Sequence, residues 1–373
     1  MKLAFAVFKY FPFGGMQRNM LAIARACVAR GHEVTVFTGF WQGAQAEGIG
    51  LEVLPIKGLS NHQRNKNFYN SLHARLATKQ FDGVVGFNKM PGLDIYYAGD
   101  SCFASKAYES RSIFYRMTPR SKMSLLFERA VFGRDSNTRI LSVSELERAA
   151  FRRYYDTPED RFDTLPPGIT RQCIMTDNHQ QERATIRSEL GAINGDTLLL
   201  ALGSGFKTKG LDRSIVLLSR LSKELNARLI VVGQDKERPL RSLAKKLRVD
   251  NRVTFLAGRS DVPAILQSVD VLVHPAYREN TGNVLLEAMV AGLPVVTTDV
   301  CGYAHYVSNA EMGRVLSSPF EMDAFVQAVE HVLTRPRRQW QERGQIFAGS
   351  ADIYDRPRHA AHFIEKAIGK HCG

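Results

Sequence analysis

Short apolar runs recur along the chain, separated by longer stretches in which apolar residues return at helical spacing. In the first half LAFAVF, EVTVF, LEVLPI, GVVGF and RILSV read as strands. Between them the segment Met16–Arg30, closed by Gly31, predicts a helix, and Ser144 to Glu147 spells S-x-x-E, a capping box opening another. DTLPPGI, residues 163–169, bars helix and central strand alike with its prolines and glycine, and marks a domain boundary. A second alternation follows, with TLLLALG, ARLIVVG, RVTFLAG, DVLVHP and GLPVV as its strands. These runs lack polar alternation, so their sheets are covered on both faces. The pattern predicts an α/β protein of two tandem, doubly wound, Rossmann-like domains facing across a cleft, with ligands at the carboxyl ends of the strands.

Composition narrows the partners. A length of 373 residues suits two domains, and 44% hydrophobic with 23% charged residues is ordinary for a globular chain. No apolar run is long enough for a transmembrane helix, and Lys9 interrupts the first one, which reads as a buried strand instead of a signal peptide. The cysteines (Cys27, Cys102, Cys173, Cys301 and Cys372) are odd in number and form no C-x-x-C, which suits a reducing cytosol and argues against a zinc site. A net charge of +13 calls for an anionic partner: nucleic acid, phosphorylated substrate or acidic lipid.

The chemistry concentrates in a few loops. In HPAYRENTGNVLLEAMVAGLPVV, Glu279 lies in a polar loop and Glu287 in the helix expected to begin near Asn283 or Val284. Amides of Thr281, Gly282 and Asn283 would then lie unpaired at a positive helix end, an anion site flanked by carboxylates. A nucleotide sugar has that shape, phosphate between hydroxyls; the alternative is an exposed loop acid and an ordinary helical one. In GSGFKTKG, Lys207 and Lys209 end a strand where they could neutralise a leaving diphosphate, the alternative being a solvated turn. Leu211 rules out a Walker A loop, and Thr208 stands where a dinucleotide fingerprint needs glycine. Gly14 and Gly15 sit between the first strand and helix, where backbone can approach phosphate or simply turn tightly. Asp100 ends an apolar run as cleft residue or cap. No D-x-D occurs, so no metal is expected on the diphosphate, and His274 and His305, not at ligand spacing, read as structural. The segment Ser105–Arg134 interleaves Lys106, Arg111, Arg116, Arg120, Lys122, Arg129 and Arg134 with Tyr108, Phe114, Tyr115, Met117, Leu125, Phe127 and Phe132. That composition fits anionic lipid, nucleic acid, or a helical hairpin with an apolar inner face.

Taken together, Glu279-x7-Glu287 ahead of AGLPVV, Lys209-Gly210 and Gly14-Gly15 resemble the retaining, two-Rossmann (GT-B) glycosyltransferases of family four. KYFPFGGMQR, VVGFNKMPGLD and CGYAHY are similar to its lipopolysaccharide-core α-1,3-glucosyltransferases. The resemblance implies a UDP-sugar donor, the inner-core heptose of lipopolysaccharide as acceptor, no metal or other cofactor, no nucleic acid, and a place on the anionic cytoplasmic face of the inner membrane. It implies domains at 1–167 and 168–355, with residues 356–373 holding a last helix, roughly Arg358–Lys370, that crosses back to the first domain. By the same likeness Glu279 would hold donor hexose hydroxyls and Glu287 the ribose. Backbone from Thr281 through Gly282 and Asn283 to Val284 would meet sugar and phosphate. Lys209, with Lys207 and Gly15, would meet the diphosphate, Arg259 the uracil, and Asp100 the reacting hexose. Two departures stand out. Ser204 replaces the arginine common after the loop's glycine, and Asn280, Thr281 and Asn283 are polar where relatives are more apolar, which leaves the hexose open. A transferase acting on another lipid or small acceptor, and a non-enzymatic lipid- or nucleic-acid-binding protein, are the competing functions.

Overall fold

The computed structural model describes residues 1–12, 14–176 and 179–369. The chain divides into two compact units, Met1–Gly168 joined by the segment from Asp355, and Ile169–Tyr354. Unit 1 holds a parallel sheet of seven strands: β1 Lys2–Val7, β2 Glu33–Thr38, β3 Gly50–Val53, β4 Gly83–Gly86, β5 Ile95–Ala98, β6 Arg139–Ser142 and β7 Phe162–Thr164, in the order β3-β2-β1-β4-β5-β6-β7. Unit 2 holds six: β8 Thr197–Leu202, β9 Ala227–Val232, β10 Val253–Leu256, β11 Val271–His274, β12 Val295–Thr298 and β13 Gly313–Leu316, in the order β10-β9-β8-β11-β12-β13. Each sheet therefore reverses its winding once, between β1 and β4 and between β8 and β11. Such reversals open the crevice in which doubly wound sheets bind ligands.

Both faces of each sheet are covered, as the unbroken apolar runs imply. Along β1, Leu3, Phe5 and Val7 point to a core shared with the helices Gly15–Ala29 and Arg356–Gly369. Ala4 and Ala6 point to the other face, under the helices Asn61–Thr78 and Pro119–Phe132. In unit 2 one continuous core joins Leu198, Leu200, Leu272 and Val296 to the helix Asn283–Val290.

Several expectations are corrected. β5, β7 and β13 were not read as strands: β7 has only three residues, and β13 at the sheet edge alternates with polar Arg314. The first helix runs Gly15–Ala29, with Arg30 as its cap. The last begins at Arg356; Lys370 and Cys372 lie outside the described residues. Ser144 does cap its helix, accepting from Glu147 N, but Glu147 sends its own carboxylate to Cys102 N at 2.6 Å instead of back to the cap. The complete capping box belongs to Ser60 and Gln63.

The segment 105–134 forms three helices, Phe103–Glu109, Ile113–Met117 and Pro119–Phe132, and its aromatics divide. Phe127 and Phe132 are core residues, Phe132 stacking on Phe151, because their helix turns that face toward the sheet. Ile113, Phe114 and Met117 are exposed at 60%, 77% and 63%. Among the described residues no helix is long and apolar enough to cross a membrane.

Glu128, on the inner face of the third of these helices, is wholly buried and fully occupied. It accepts from Lys89 Nζ at 2.5 Å, from the amides of Phe103 and Ala104 at 2.8 Å each, and from Tyr155 Oη at 2.7 Å. The amides begin the helix Phe103–Glu109, so the carboxylate sits where helix dipoles favour negative charge.

Candidate active site

The reversal in unit 2 brings together the loops after β8 and β11. The first spans residues 203–210, the second 275–282, and Tyr277 N donates to Thr208 O at 2.8 Å between them. Arg213 fastens the second loop by donating to Pro275 O at 3.1 Å and stacking on the Tyr277 ring. Two glycines are dictated here. A Cβ on Gly210 (φ +71°) would fall 2.0 Å from Pro275 O, and Gly282 takes φ +89° as cap of the helix Asn283–Val290. The loop after β12 completes the frame, since Tyr303 N donates to Thr281 O at 2.8 Å.

Within this frame Lys209 Nζ donates directly to Glu279 Oε2. Both side chains remain in reach of solvent, at 25% and 17% exposure. His274, the buried last residue of β11, brings Nε2 to 3.4 Å from the same oxygen, outside hydrogen-bond geometry. Burial works against an ionised Glu279, yet His274 and Lys209 overcome it and hold its pKa down at about 2. Burial likewise opposes charge on His274, but the neighbouring Cys301 thiol and Glu279 raise its pKa. At neutral pH Glu279 is therefore a pure acceptor. It can hold hydroxyl groups and stabilise positive charge, but it is neither a proton donor nor a strong base.

The predicted residues fall into place unevenly. Thr281, Gly282, Asn283 and Val284 form the start of the helix, and Glu287 lies further along it. Asn283 Oδ1 is buried with no hydrogen-bond partner among the described residues. Lys207 is exposed in the loop with Lys209. Ser204 accepts from Gln234 N at 3.2 Å and so ties this loop to the one after β9. Arg259 follows β10 at the sheet edge, and Asp261 grips its guanidinium, with Nε donating at 2.7 Å. Those bonds push the arginine pKa up and pull Asp261 down.

Gly14, Gly15 and Asp100 belong to unit 1. Gly14 caps the helix Gly15–Ala29, and a Cβ there would strike Gln17 Oε1 at 2.0 Å; a Cβ on Gly15 would meet nothing within 4 Å. A side chain at Gly14 would thus displace Gln17 and Phe11, whereas the second glycine is open to approach. Asp100 is exposed in the loop after β5. Desolvation by neighbouring protein atoms, together with Glu128 and against the pull of Lys89 and the Asn88 side chain, raises its pKa.

His274, read as structural, is a buried strand-end residue whose ring also lies beside the Glu279 carboxylate. Its position in DVLVHP, at the carboxyl end of a strand, was the available signal. Cys301 was also missed; it accepts from Thr297 Oγ1 at 3.2 Å beneath the histidine.

Residues 182–347 match the family Glycosyl transferases group 1, and residues 13–172 match Glycosyltransferase Family 4. The lipopolysaccharide glucosyltransferase WaaG of Escherichia coli (strain K12) is 42% identical over 98% of both chains. A crystal structure of WaaG, a glycosyltransferase involved in lipopolysaccharide biosynthesis, superposes with a TM-score of 0.93 over 97% of this chain and 99% of that one. The Anabaena protein HepE, solved with UDP and glucose, shares 17% identity over 99% of this chain and all of its own, and the fold, with a TM-score of 0.73.

Proposed function

The chain belongs to the glycosyltransferases of family four, and from that premise we propose that it moves a hexose from a UDP-sugar to the inner-core heptose of lipopolysaccharide, in α-1,3 linkage and with retention. The transferase activity follows from family membership; donor, acceptor and linkage are the proposal, supported by the likeness to WaaG. The observation that carries it is the Lys209–Glu279 contact at the mouth of the helix Asn283–Val290, beside the reversal of the sheet.

The chemistry follows from those groups. The diphosphate meets Lys209, Lys207 and the amides of Thr281 to Val284, and the family likeness assigns Gly15 to it as well. These groups take up the charge that develops as the sugar–oxygen bond breaks. Glu279, held ionised, accepts from the hexose hydroxyls, Glu287 from the ribose, and Arg259 meets the uracil. The family likeness assigns Asp100 to the reacting hexose. The leaving diphosphate oxygen takes the proton from the attacking hydroxyl, so no carboxylate need form a covalent bond. With lysines neutralising the diphosphate, no metal is needed. The exposed Ile113, Phe114 and Met117, among Lys106, Arg111, Arg120 and Lys122, support docking on an anionic membrane surface.

A transfer assay with UDP-glucose, UDP-galactose and UDP-N-acetylglucosamine on heptose-terminated lipopolysaccharide tests the reading. One donor should support transfer with the anomeric configuration kept. No transfer and no UDP binding, with tight salt-sensitive binding to duplex DNA, would replace it by the non-enzymatic alternative.

A further inference from the structure

At the amino ends of the parallel strands of unit 2, opposite the loops after β8 and β11, lies a cavity of about 350 Å³. It opens where β13 meets the ends of the helices Ala304–Asn309 and Met322–Thr334 and the start of the helix Arg337–Ser350. Ser308, Glu311, Arg314, His331 and Arg335 supply its polar wall, and Trp340 an apolar one. The donor site uses none of these residues.

The charges of the wall do not cancel. Arg343 donates to the Glu311 carboxylate and, at 3.2 Å, to the Glu311 carbonyl, which occupies the only acid among the described residues of the wall. Arg314 and Arg335 make no ion pair among the described residues. A cation near a helix end ordinarily serves the dipole, and Arg335 caps the helix Met322–Thr334. That end supplies only about half a negative charge, and Glu311 one more, against the guanidiniums of Arg314, Arg335 and Arg343. About one and a half positive charges are left over.

The wall is also shaped in advance. Arg314 Nη2 donates to His331 Nε2 at 2.7 Å, so that nitrogen accepts and Nδ1–H is left to donate. The Arg335 guanidinium lies 5.3 Å from the centre of the buried Trp340 ring, which steadies it without consuming its N–H groups. Ser308 adds a hydroxyl. The volume falls within the roughly 300–1,000 Å³ of small-ligand sites. A phosphomonoester carries about 1.5 to 2 negative charges and three strong acceptor oxygens, which matches both the excess charge and the donors. A carboxylate, with one charge and two oxygens, would leave donors of the wall unused.

We propose that this cavity is a second anion site, one that binds a phosphomonoester. Arg314 and Arg335 grip the phosphoryl oxygens, and Ser308 and His331 donate to those that remain. A free metabolite and the headgroup of an anionic lipid both offer that group.

Calorimetry on the full chain at low salt, with glycerol 3-phosphate as the probe and UDP titrated in parallel, tests the site. Wild type should bind the ester. Arg314→Gln and Arg335→Gln should each weaken it roughly 10- to 100-fold, the loss of a charge-assisted hydrogen bond, while UDP affinity stays unchanged. Glu311→Gln removes the resident negative charge and should tighten the ester severalfold. Lys209→Met separates the two anion sites, since it should leave ester binding as in wild type. Arg314 is exposed, so its variant should melt with wild type, and lost binding there cannot be unfolding. Sedimentation with phosphatidylcholine vesicles, with and without phosphatidic acid, separates the sources. A headgroup is named if Arg314→Gln lowers the binding that phosphatidic acid adds, and a free ester if only the soluble probe is lost. The site is overturned if wild type binds the ester in neither arm, or if Lys209→Met abolishes that binding. It is overturned equally by an ester affinity that the arginine variants do not lower or that Glu311→Gln does not raise.

Discussion

Lys89 and Glu128 in unit 1 meet at 2.5 Å, and Lys209 and Glu279 in unit 2 make the same contact just beyond a strand end. The first glutamate has no exposed surface and is saturated by two amides, a phenol and an ammonium. The second keeps 17% exposure, and its lysine 25%. A saturated carboxylate in a closed interior can only hold structure together. An ionised one at a loop mouth, whose lysine can turn to an arriving phosphate, can exchange partners. The same pair of residue types is thus a rivet in one place and a socket in the other, and satisfaction of hydrogen bonds decides which.

The strongest way to break the comparison is Glu128→Ala. Removing one partner of a buried pair should cost about 3–5 kcal/mol, read as a large fall in melting temperature. A melting curve close to wild type would show that Glu128 is no rivet. Next comes acid. Glu279 has a folded-state pKa of about 2 against an ordinary 4.5, so its contribution to stability is full above the ordinary value and lost as pH falls toward 2. Up to about 3 kcal/mol is at stake. His274, whose pKa is raised, works the other way, its contribution present in acid and lost as pH climbs through its raised value. In urea melts, the stability gap between wild type and Glu279→Gln should therefore close between pH 4.5 and 2; a constant gap would remove the pair's electrostatic role.

Glu279→Ala should sharpen the contrast at neutral pH. Loss of a charged hydrogen bond, about 1.5–3 kcal/mol, implies a roughly 10- to 150-fold fall in turnover, with UDP affinity much less affected. Glu287→Ala should instead weaken UDP itself in calorimetry. Unchanged rates for the first variant would sink the sugar role, and unchanged UDP binding for the second the ribose role. Smaller effects are expected at the surface. Each of Arg111 and Lys122 should add about 1 kcal/mol of vesicle binding that salt removes, and Phe114→Ser with Met117→Ser should lower what survives high salt. These exposed changes should leave melting untouched, whereas Phe132→Ser should not; vesicle binding equal in variant and wild type refutes docking. The smallest effect is none: EDTA should leave transfer intact, and restoration by Mg²⁺ after a loss would overturn lysine neutralisation.

What was legible in the sequence was whatever local grammar encodes. Unbroken apolar strands gave parallel sheets, and strand–loop–helix punctuation put Lys209 and Glu279 at strand ends. Their contact was not legible, because it depends on β8 and β11 being neighbours although two strands separate them in sequence. The cavity lined by Arg314, His331 and Arg335 was equally hidden, because it forms only where the edge strand β13 packs on the helix Met322–Thr334. Phe127 and Phe132 stayed open between a lipid-facing surface and the apolar inner face of a hairpin because basic neighbours mask the inward side, and β7 was too short to show a period.

The helix Arg356–Gly369 has a consequence for biogenesis. Ala360, Ala361, Ile364 and Ile368 cover the large-residue face of β1, and the buried Arg356 donates to Pro166 O at 2.9 Å. Unit 1 is therefore closed by residues that leave the ribosome after all of unit 2. Unit 2 can fold as soon as it emerges, while unit 1 must wait, its sheet uncovered over Leu3, Phe5 and Val7, for the helix Arg356–Gly369 to be translated. Order of synthesis and order of completion therefore run in opposite directions.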